Sequence, residues 1–298
     1  MAAPGEGPQP TGTGGAWREI ITFLFLTLGL SSIFYYKIIA AGDLEAAGAL
    51  LILGLMWCPG VAALITRFAF QRNLRGLGWG LGKPRYLLAS YGTPLLYAAL
   101  AYGLAWLASG GAFFDHEMLG QIAERLDERW GWTFGSDGAV LGVFFLLIAT
   151  RGMFFNLLFA LGEEIGWRGL LVPRLAEVTS YTNTSWISGL IWATWHWPLI
   201  LVAGYQSGSA AFSLVTFSLM AIAASFIFAW LRLKSGSLWT AVLLHASHNA
   251  FIQSFFDRLT TSEGTAQYLV GEFGVVTVAA IALVAWLFWR RRGELAPA

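Results

Sequence analysis

Two adjacent carboxylates and an arginine, Glu163, Glu164 and Arg168, end a long apolar run within Gly162-Glu163-Glu164-Ile165-Gly166-Trp167-Arg168-Gly169. Further along stand His196, in Trp192-Ala193-Thr194-Trp195-His196-Trp197-Pro198, and the pair His245 and Asn249, in Leu244-His245-Ala246-Ser247-His248-Asn249. Charged groups in apolar surroundings are costly, so they tend to face a protein interior or a wet cavity and to mark function. Glu164 and Arg168, four apart on a helix, share a face and can pair, whereas Glu163 is rotated away by about 100 degrees. One carboxylate can then be anchored while its neighbour stays free to act. His245 and Asn249 share a face by the same spacing, and His248 borders it.

These residue types suit hydrolysis. An apolar setting desolvates a carboxylate and moves it towards general-base duty, and a histidine beside it can share the proton or orient water. A second histidine with an asparagine can donate hydrogen bonds to a developing oxyanion. The same side chains, Glu163, His196 and His245, with His248 as a less favoured fourth, could instead bind zinc, since imidazole nitrogen and carboxylate oxygen are its usual ligands. No H-E-x-x-H helix and no G-x-S-x-G elbow occurs, which removes the common zinc-protease and serine-hydrolase arrangements.

The elements that must position these groups are membrane helices. Hydrophobic residues make up 57% of the 298 and charged ones 12%, about half the charged share of a soluble domain; mean hydropathy is +0.62. A net charge of +1 lacks the basic excess a nucleic-acid partner would need. Cys58, alone, forms no internal disulfide. A span needs about 20 apolar residues, and candidates are 20–41, 46–66, 86–108, 139–172, 186–203, 211–231, 237–256 and 269–289. The expected fold is therefore all-α and polytopic, with about eight transmembrane helices and both termini on one side. Residues 1–17 read as a disordered tail without the features of a signal peptide. Residues 18–138 read as the first helices with an outer amphipathic segment, 139–256 as the catalytic core, and 257–298 as the last helix and a basic tail.

Alternating the spans gathers Arg18, Arg67, Arg72, Arg75, Lys83, Arg85, Arg174, Arg232, Lys234 and Arg290 to Arg292 on one face, against Lys37, Arg125, Arg129 and Arg258 on the other. The positive-inside bias makes the first face cytoplasmic, with both termini, in the plasma (cell inner) membrane. At 1.5 Å per residue, His196, His245 and Glu163 then lie roughly 15, 12 and 12 Å from that face, around a cavity open to the cytoplasm. Arg151 would cost roughly 3 kcal/mol at mid-bilayer, so the fourth span is framed at 149–171, letting Arg151 snorkel outwards. The charged 115–137 segment reads as an amphipathic helix with a solvated face. Gly162, Gly166 and Gly169 are small enough for close helix approach. Pro59, Pro94 and Pro198 are expected to kink their helices, and the tryptophans around His196 to serve as packing and interface anchors.

In these residues the chain resembles the CAAX-processing and bacteriocin-processing (CPBP) intramembrane endopeptidases, which include the type II CAAX prenyl endopeptidases. The family pattern E-E-x-x-x-R, aromatic-x-x-x-H and H-x-x-x-N corresponds to Glu163, Glu164 and Arg168, to Trp192 with His196, and to His245 with Asn249. The resemblance implies peptide-bond hydrolysis on a membrane-associated peptide or protein, prenylated or not. It implies that Glu163 and His196 activate water, that His245 and Asn249 stabilise the oxyanion, and that Glu164 and Arg168 support them. It leaves the metal open. Trp192 stands where the family more often has Phe, and His248 is outside the pattern. Rival readings are a transporter or proton-coupled channel, which would show repeat symmetry, and a catalytically silent immunity or scaffold protein. Oligomeric state is not legible.

Overall fold

The computed structural model describes residues 12–261 and 263–295, and among them the chain is helical with one isolated bridge, Phe114 to Thr260. The elements are α1 (Gly12–Ala41), α2 (Leu44–Gln71), α3 (Pro84–Ala108), the amphipathic α4 (His116–Trp130), α5 (Asp137–Leu147), α6 (Met153–Glu164), α7 (Val172–Ala176), α8 (Tyr181–Val202), α9 (Ala210–Ser235), α10 (Leu238–His248), α11 (Ala266–Leu269) and α12 (Val275–Arg290). Helix starts follow capping chemistry: Asp43, Asp115, Ser136, Ser180, Ser209 and Ser237 each accept a first-turn backbone N–H, which satisfies donors the helix leaves free. Gly131 and Gly236 end α4 and α9 in the left-handed conformation that glycine adopts without penalty.

Among the described residues, five helices are long and apolar enough to cross a membrane: Thr13–Ala41, Leu44–Gln71, Pro84–Ala108, Asp137–Ala176 and Ala210–Ser235. The last expected span is the shorter apolar α12. The remaining two are α8 and α10, more polar because they carry the histidine motifs. The all-α polytopic membrane fold is thus present. The first helix begins at Gly12, so residues 12–17 are helical rather than disordered; the rest of the expected tail lies outside the described residues.

Asp137–Ala176 is one compound helix in which α5, α6 and α7 are joined by π-helical turns at Ile148–Gly152 and Ile165–Leu171. A third π segment, Asn249–Phe256, continues α10. Such turns insert a residue into the helical repeat and cluster at functional sites; here two of them adjoin the Glu163-Glu164 pair and begin at Asn249. Arg151, inside the first π turn, is exposed and lies over Phe155, 5.4 Å from the ring centroid.

Close helix contact at the site depends on glycine. A Cβ on Gly166 would stand 2.6 Å from Pro59, and one on Gly162 would stand 2.7 Å from Trp57 and 2.8 Å from the Met56 carbonyl. Gly169 would meet only ordinary contacts, from 3.5 Å, so its smallness is not required. On the far side of the site, a Cβ on Gly189 would stand 2.6 Å from Ile222, which brings α8 against α9.

Two helices extend further than the hydropathy suggests, and this moves the site. Capped by Ser180, α8 starts at Tyr181 rather than 186, while the compound helix runs to Ala176 rather than 171. At 1.5 Å per residue Glu163 and His196 then lie roughly 20 and 22 Å along their helices from that end, and His245 roughly 10 Å. The three residues thus stand at unequal distances from their own helix ends, and the helices converge at the site with different offsets.

Candidate active site

Glu163 and Glu164 end α6, both almost fully buried, and their carboxylates point to different partners. Glu163 Oε2 accepts the indole N–H of Trp167, one helical turn on, at 3.2 Å, and that of Trp192 in α8 at 2.9 Å. Glu164 Oε1 accepts Arg168 Nη1–H at 2.8 Å and His245 Nδ1–H at 2.9 Å. The helical geometry that separates neighbours by about 100 degrees thus divides the pair into one anchored carboxylate and one aimed elsewhere.

Arg168 is fully buried and held from several sides. Its guanidinium lies 3.9 Å from the ring centroid of Phe228 and 4.7 Å from that of Trp192, and Nη2 donates to Ser225 at 3.3 Å. Buried Arg232 donates to the Arg168 carbonyl at 2.8 Å, serving a backbone acceptor within the π turn Ile165–Leu171. Stacking on aromatic faces and pairing with carboxylate are the contacts a guanidinium favours when removed from water.

His196 Nδ1 lies 3.0 Å from the Trp192 carbonyl one turn back. A carbonyl only accepts, so Nδ1 carries the proton and Nε2 of the neutral ring is an acceptor. In the same way His245 commits Nδ1–H to Glu164. Its Nε2 donates only when the ring carries both protons, and a protonated His245 makes Glu163, Glu164, Arg168 and His245 a neutral set.

Glu163, His196, His245 and Asn249 line one cavity of about 240 Å³, with Trp192, Tyr205, His248 and Glu272. Glu164 and Arg168 stand behind it, reaching it through His245 and Trp192. All six residues expected from the sequence therefore fall at one site. The mouth does not lie at the basic end, as expected. Leu44, Tyr205, Gln253 and Glu272 also line an adjoining cavity of about 380 Å³ with Gly204, Asp257 and Gly271. It therefore opens where α2 begins and α8 ends, opposite Arg72, Lys83, Arg174, Arg232 and Arg290.

The zinc alternative names Glu163, His196 and His245. Among the described residues no group of three or more His, Cys, Asp or Glu side chains is arranged to hold a metal ion. Zinc binding needs several such groups converging within about 2 Å of one point.

The sequence reading missed part of the cavity wall. His248 receives Tyr97 Oη at 2.7 Å on Nδ1 and faces Glu272 Oε1 at 3.3 Å from Nε2; Tyr205 also donates to Glu272. Glu272 precedes α12 in a loop that folds back into the bundle. Its only signal in the sequence is an acid at the edge of an apolar run. The tryptophans are also more than packing: Trp192 donates to Glu163, Trp195 to Ser31 at 2.8 Å and Trp197 to Ser218 at 3.1 Å.

A comparison with known protein families falls on this same stretch. Residues 143–251 match the family described as type II CAAX prenyl endopeptidase, Rce1-like. A curated relative, CAAX prenyl protease 2 of Methanococcus maripaludis, is 34% identical over 98 residues, which cover 31% of this chain and 36% of the relative. The matched residues 143–251 contain the polar motifs from Glu163 to Asn249. The matched part spans about a third of the relative's length.

Proposed function

We propose that the protein is an intramembrane endopeptidase that hydrolyses a peptide bond of a membrane-associated protein or peptide. The observation that carries this reading is the single cavity lined by Glu163, His196, His245 and Asn249. The match of residues 143–251 to the type II CAAX prenyl endopeptidase family supports it. A water in the cavity donates hydrogen bonds to Glu163 Oε1 and His196 Nε2. Glu163 takes one proton as the water oxygen attacks the scissile carbonyl carbon. The oxyanion accepts hydrogen bonds from Asn249 Nδ2–H and from protonated His245 Nε2–H, where aimed donors contribute most in a dry site. As the tetrahedral intermediate collapses, the C–N bond breaks and Glu163 returns its proton to the leaving amine. Trp167 and Trp192 fix the orientation of the base; Glu164 supplies the counter-charge for both Arg168 and His245.

The protein sits in the bilayer with its basic end, and both termini, on the cytoplasmic side by the positive-inside bias. On that orientation substrate enters from the opposite face, where the mouth lies. The test is cleavage in vesicles of purified full-length protein. Farnesylated and unprenylated peptides of the same sequence would be compared, with products identified by mass and protease protection of a C-terminal tag reporting orientation. Cleavage that persists after metal chelation is expected. No cleavage of any membrane-tethered peptide, by protein of verified fold, would sink the reading.

A further inference from the structure

Of the four basic residues that the alternating spans put opposite the basic end, three converge on one groove. Arg125, Arg129 and Arg258, joined by Arg151, line a cavity of about 590 Å³ between α4, the α5–α6 junction and the end of the π segment after α10. All four are exposed, and none enters an ion pair among the described residues. No carboxylate lines the groove. The charges of α4 are sorted to allow this. By helical repeat Arg125 and Arg129 fall on the side of Met118 and Ile122, while Glu117, Glu124, Asp127 and Glu128 fall on the opposite side. The groove accordingly holds Met118, Ile122 and both arginines but none of the four acids.

The position of α4 is fixed. Asp115 N–H donates to the Leu259 carbonyl at 2.9 Å, Thr261 N–H donates to the Phe113 carbonyl at 3.0 Å, and Trp106 donates to Thr260 at 3.0 Å. Beside Gln253 and Ser254, the rest of the wall is mainly apolar, with Phe144, Leu147, Ile148 and Phe155 on the compound helix Asp137–Ala176, whose apolar window is only 11% buried within the protein. Four unneutralised guanidinium groups beside an apolar wall match an amphiphile with an anionic head and hydrocarbon tails. Arginine forks suit phosphate oxygens, and an amphipathic helix at the membrane surface places them at headgroup level.

We propose that this groove is a binding site for an anionic phospholipid, with the headgroup phosphate held by Arg125, Arg129, Arg151 and Arg258 and an acyl chain lying along Phe144 and Phe155. The occupant is a lipid of the surrounding leaflet, since the apolar wall opens to the bilayer. The groove shares Gln253 with the catalytic cavity, so lipid occupancy borders the substrate's entrance. Each basic residue near an anionic lipid surface contributes roughly a fivefold gain in affinity, so removing two should weaken binding on the order of 25-fold.

The test titrates the purified full-length protein in detergent with phosphatidylglycerol or phosphatidylcholine, counting bound lipid by native mass spectrometry. Phosphatidylglycerol should bind at least tenfold more tightly than phosphatidylcholine. Arg129→Gln with Arg258→Gln should lose about 25-fold for phosphatidylglycerol only, and the matching Lys pair should lose only a few-fold. If the double variant does not fold, Arg125→Gln and Arg258→Gln singly should each lose about fivefold. Equal binding of the two lipids, or an unaltered affinity in folded Gln variants, would overturn the proposal. So would full displacement of phosphatidylglycerol by millimolar inorganic phosphate, which would make this a free-anion site. Displacement by a peptide acid but not by its C-terminal amide would make it a substrate subsite and overturn it equally.

Discussion

Glu164 and Arg168 form a buried ion pair whose contribution can be isolated. Both side chains are fully buried, their N–O separation is 2.8 Å, and the same carboxylate oxygen serves His245 at 2.9 Å. Replacing Glu164 by Gln leaves Arg168 without its counter-charge; replacing Arg168 by Met leaves Glu164 in the converse state. Breaking a buried pair from one side costs about 3–5 kcal/mol, because a charge remains unpaired out of water. Removing both charges leaves neither unpaired, so the double variant should lose less than the sum by a coupling of about 2–3 kcal/mol. For a chain of this size each kcal/mol moves Tm by about 2 °C, so each single variant should unfold about 6–10 °C lower and the double about 8–14 °C lower, against about 12–20 °C for additive losses. Activity should not follow stability. The double variant, lacking Glu164, still deprives His245 of the anion that holds its second proton, and the lost oxyanion donor should lower kcat on the order of 10²–10³-fold. Thermal unfolding and peptide cleavage of the four proteins in one lipid composition provide the cycle. Additive losses in Tm, or a double variant with full kcat, would refute the reasoning.

Other outcomes follow from single contacts. Trp192→Phe keeps an aromatic ring but removes the indole donor to Glu163; a hydrogen bond to a charged group is worth about 1.5–3 kcal/mol, so Tm should fall by about 3–6 °C and kcat should fall with the lost orientation of the base, whereas full activity would leave orientation to Trp167 alone. Gly166→Ala drives a methyl into Pro59 backbone and side chain at 2.6–2.7 Å and should cost about 1–3 kcal/mol, while Gly169→Ala should be tolerated; equal Tm values for the two would contradict the packing. Burial, and the charge of Glu272, raise the Asp257 carboxyl to about 7 although Tyr102 donates to it. Protonated Asp257 therefore favours the fold, by an amount on the order of a few kcal/mol that is present below about pH 4 and lost as pH rises to about 7. Tm should fall across that window and then level off, Asp257→Asn should abolish the fall, and an identical slope in the variant would exclude Asp257 as its source.

The site was legible because its residues announce their own cost: Glu163, Arg168, His196 and His245 stand out wherever they interrupt an apolar helix, and helical spacing already separates Glu163 from Glu164. Helix order was legible from hydropathy for the same reason. What periodicity could not reach were the π turns beginning at Ile165 and Asn249, because an extra residue per turn depends on tertiary contacts such as Gly166 against Pro59 and Arg232 on the Arg168 carbonyl. The end at which the cavity opens differs from the expected one because it depends on where α8 starts and α7 stops, and capping by Ser180 outweighs the polar composition of residues 181–185. Glu272 was invisible because a loop before α12 folds back onto His248. The role of Trp192 was hidden in an indole nitrogen whose direction no sequence pattern encodes.

The central claim, that Glu163 is the base of a peptide hydrolase, is tested most directly by cleavage with Glu163→Gln in vesicles, beside the wild-type chain. The variant keeps an oxygen for the indole donors and cannot accept the water proton. Its kcat should drop on the order of 10²–10⁴-fold while Tm and monodispersity are retained. A folded Glu163→Gln protein cleaving at the wild-type rate would contradict the account.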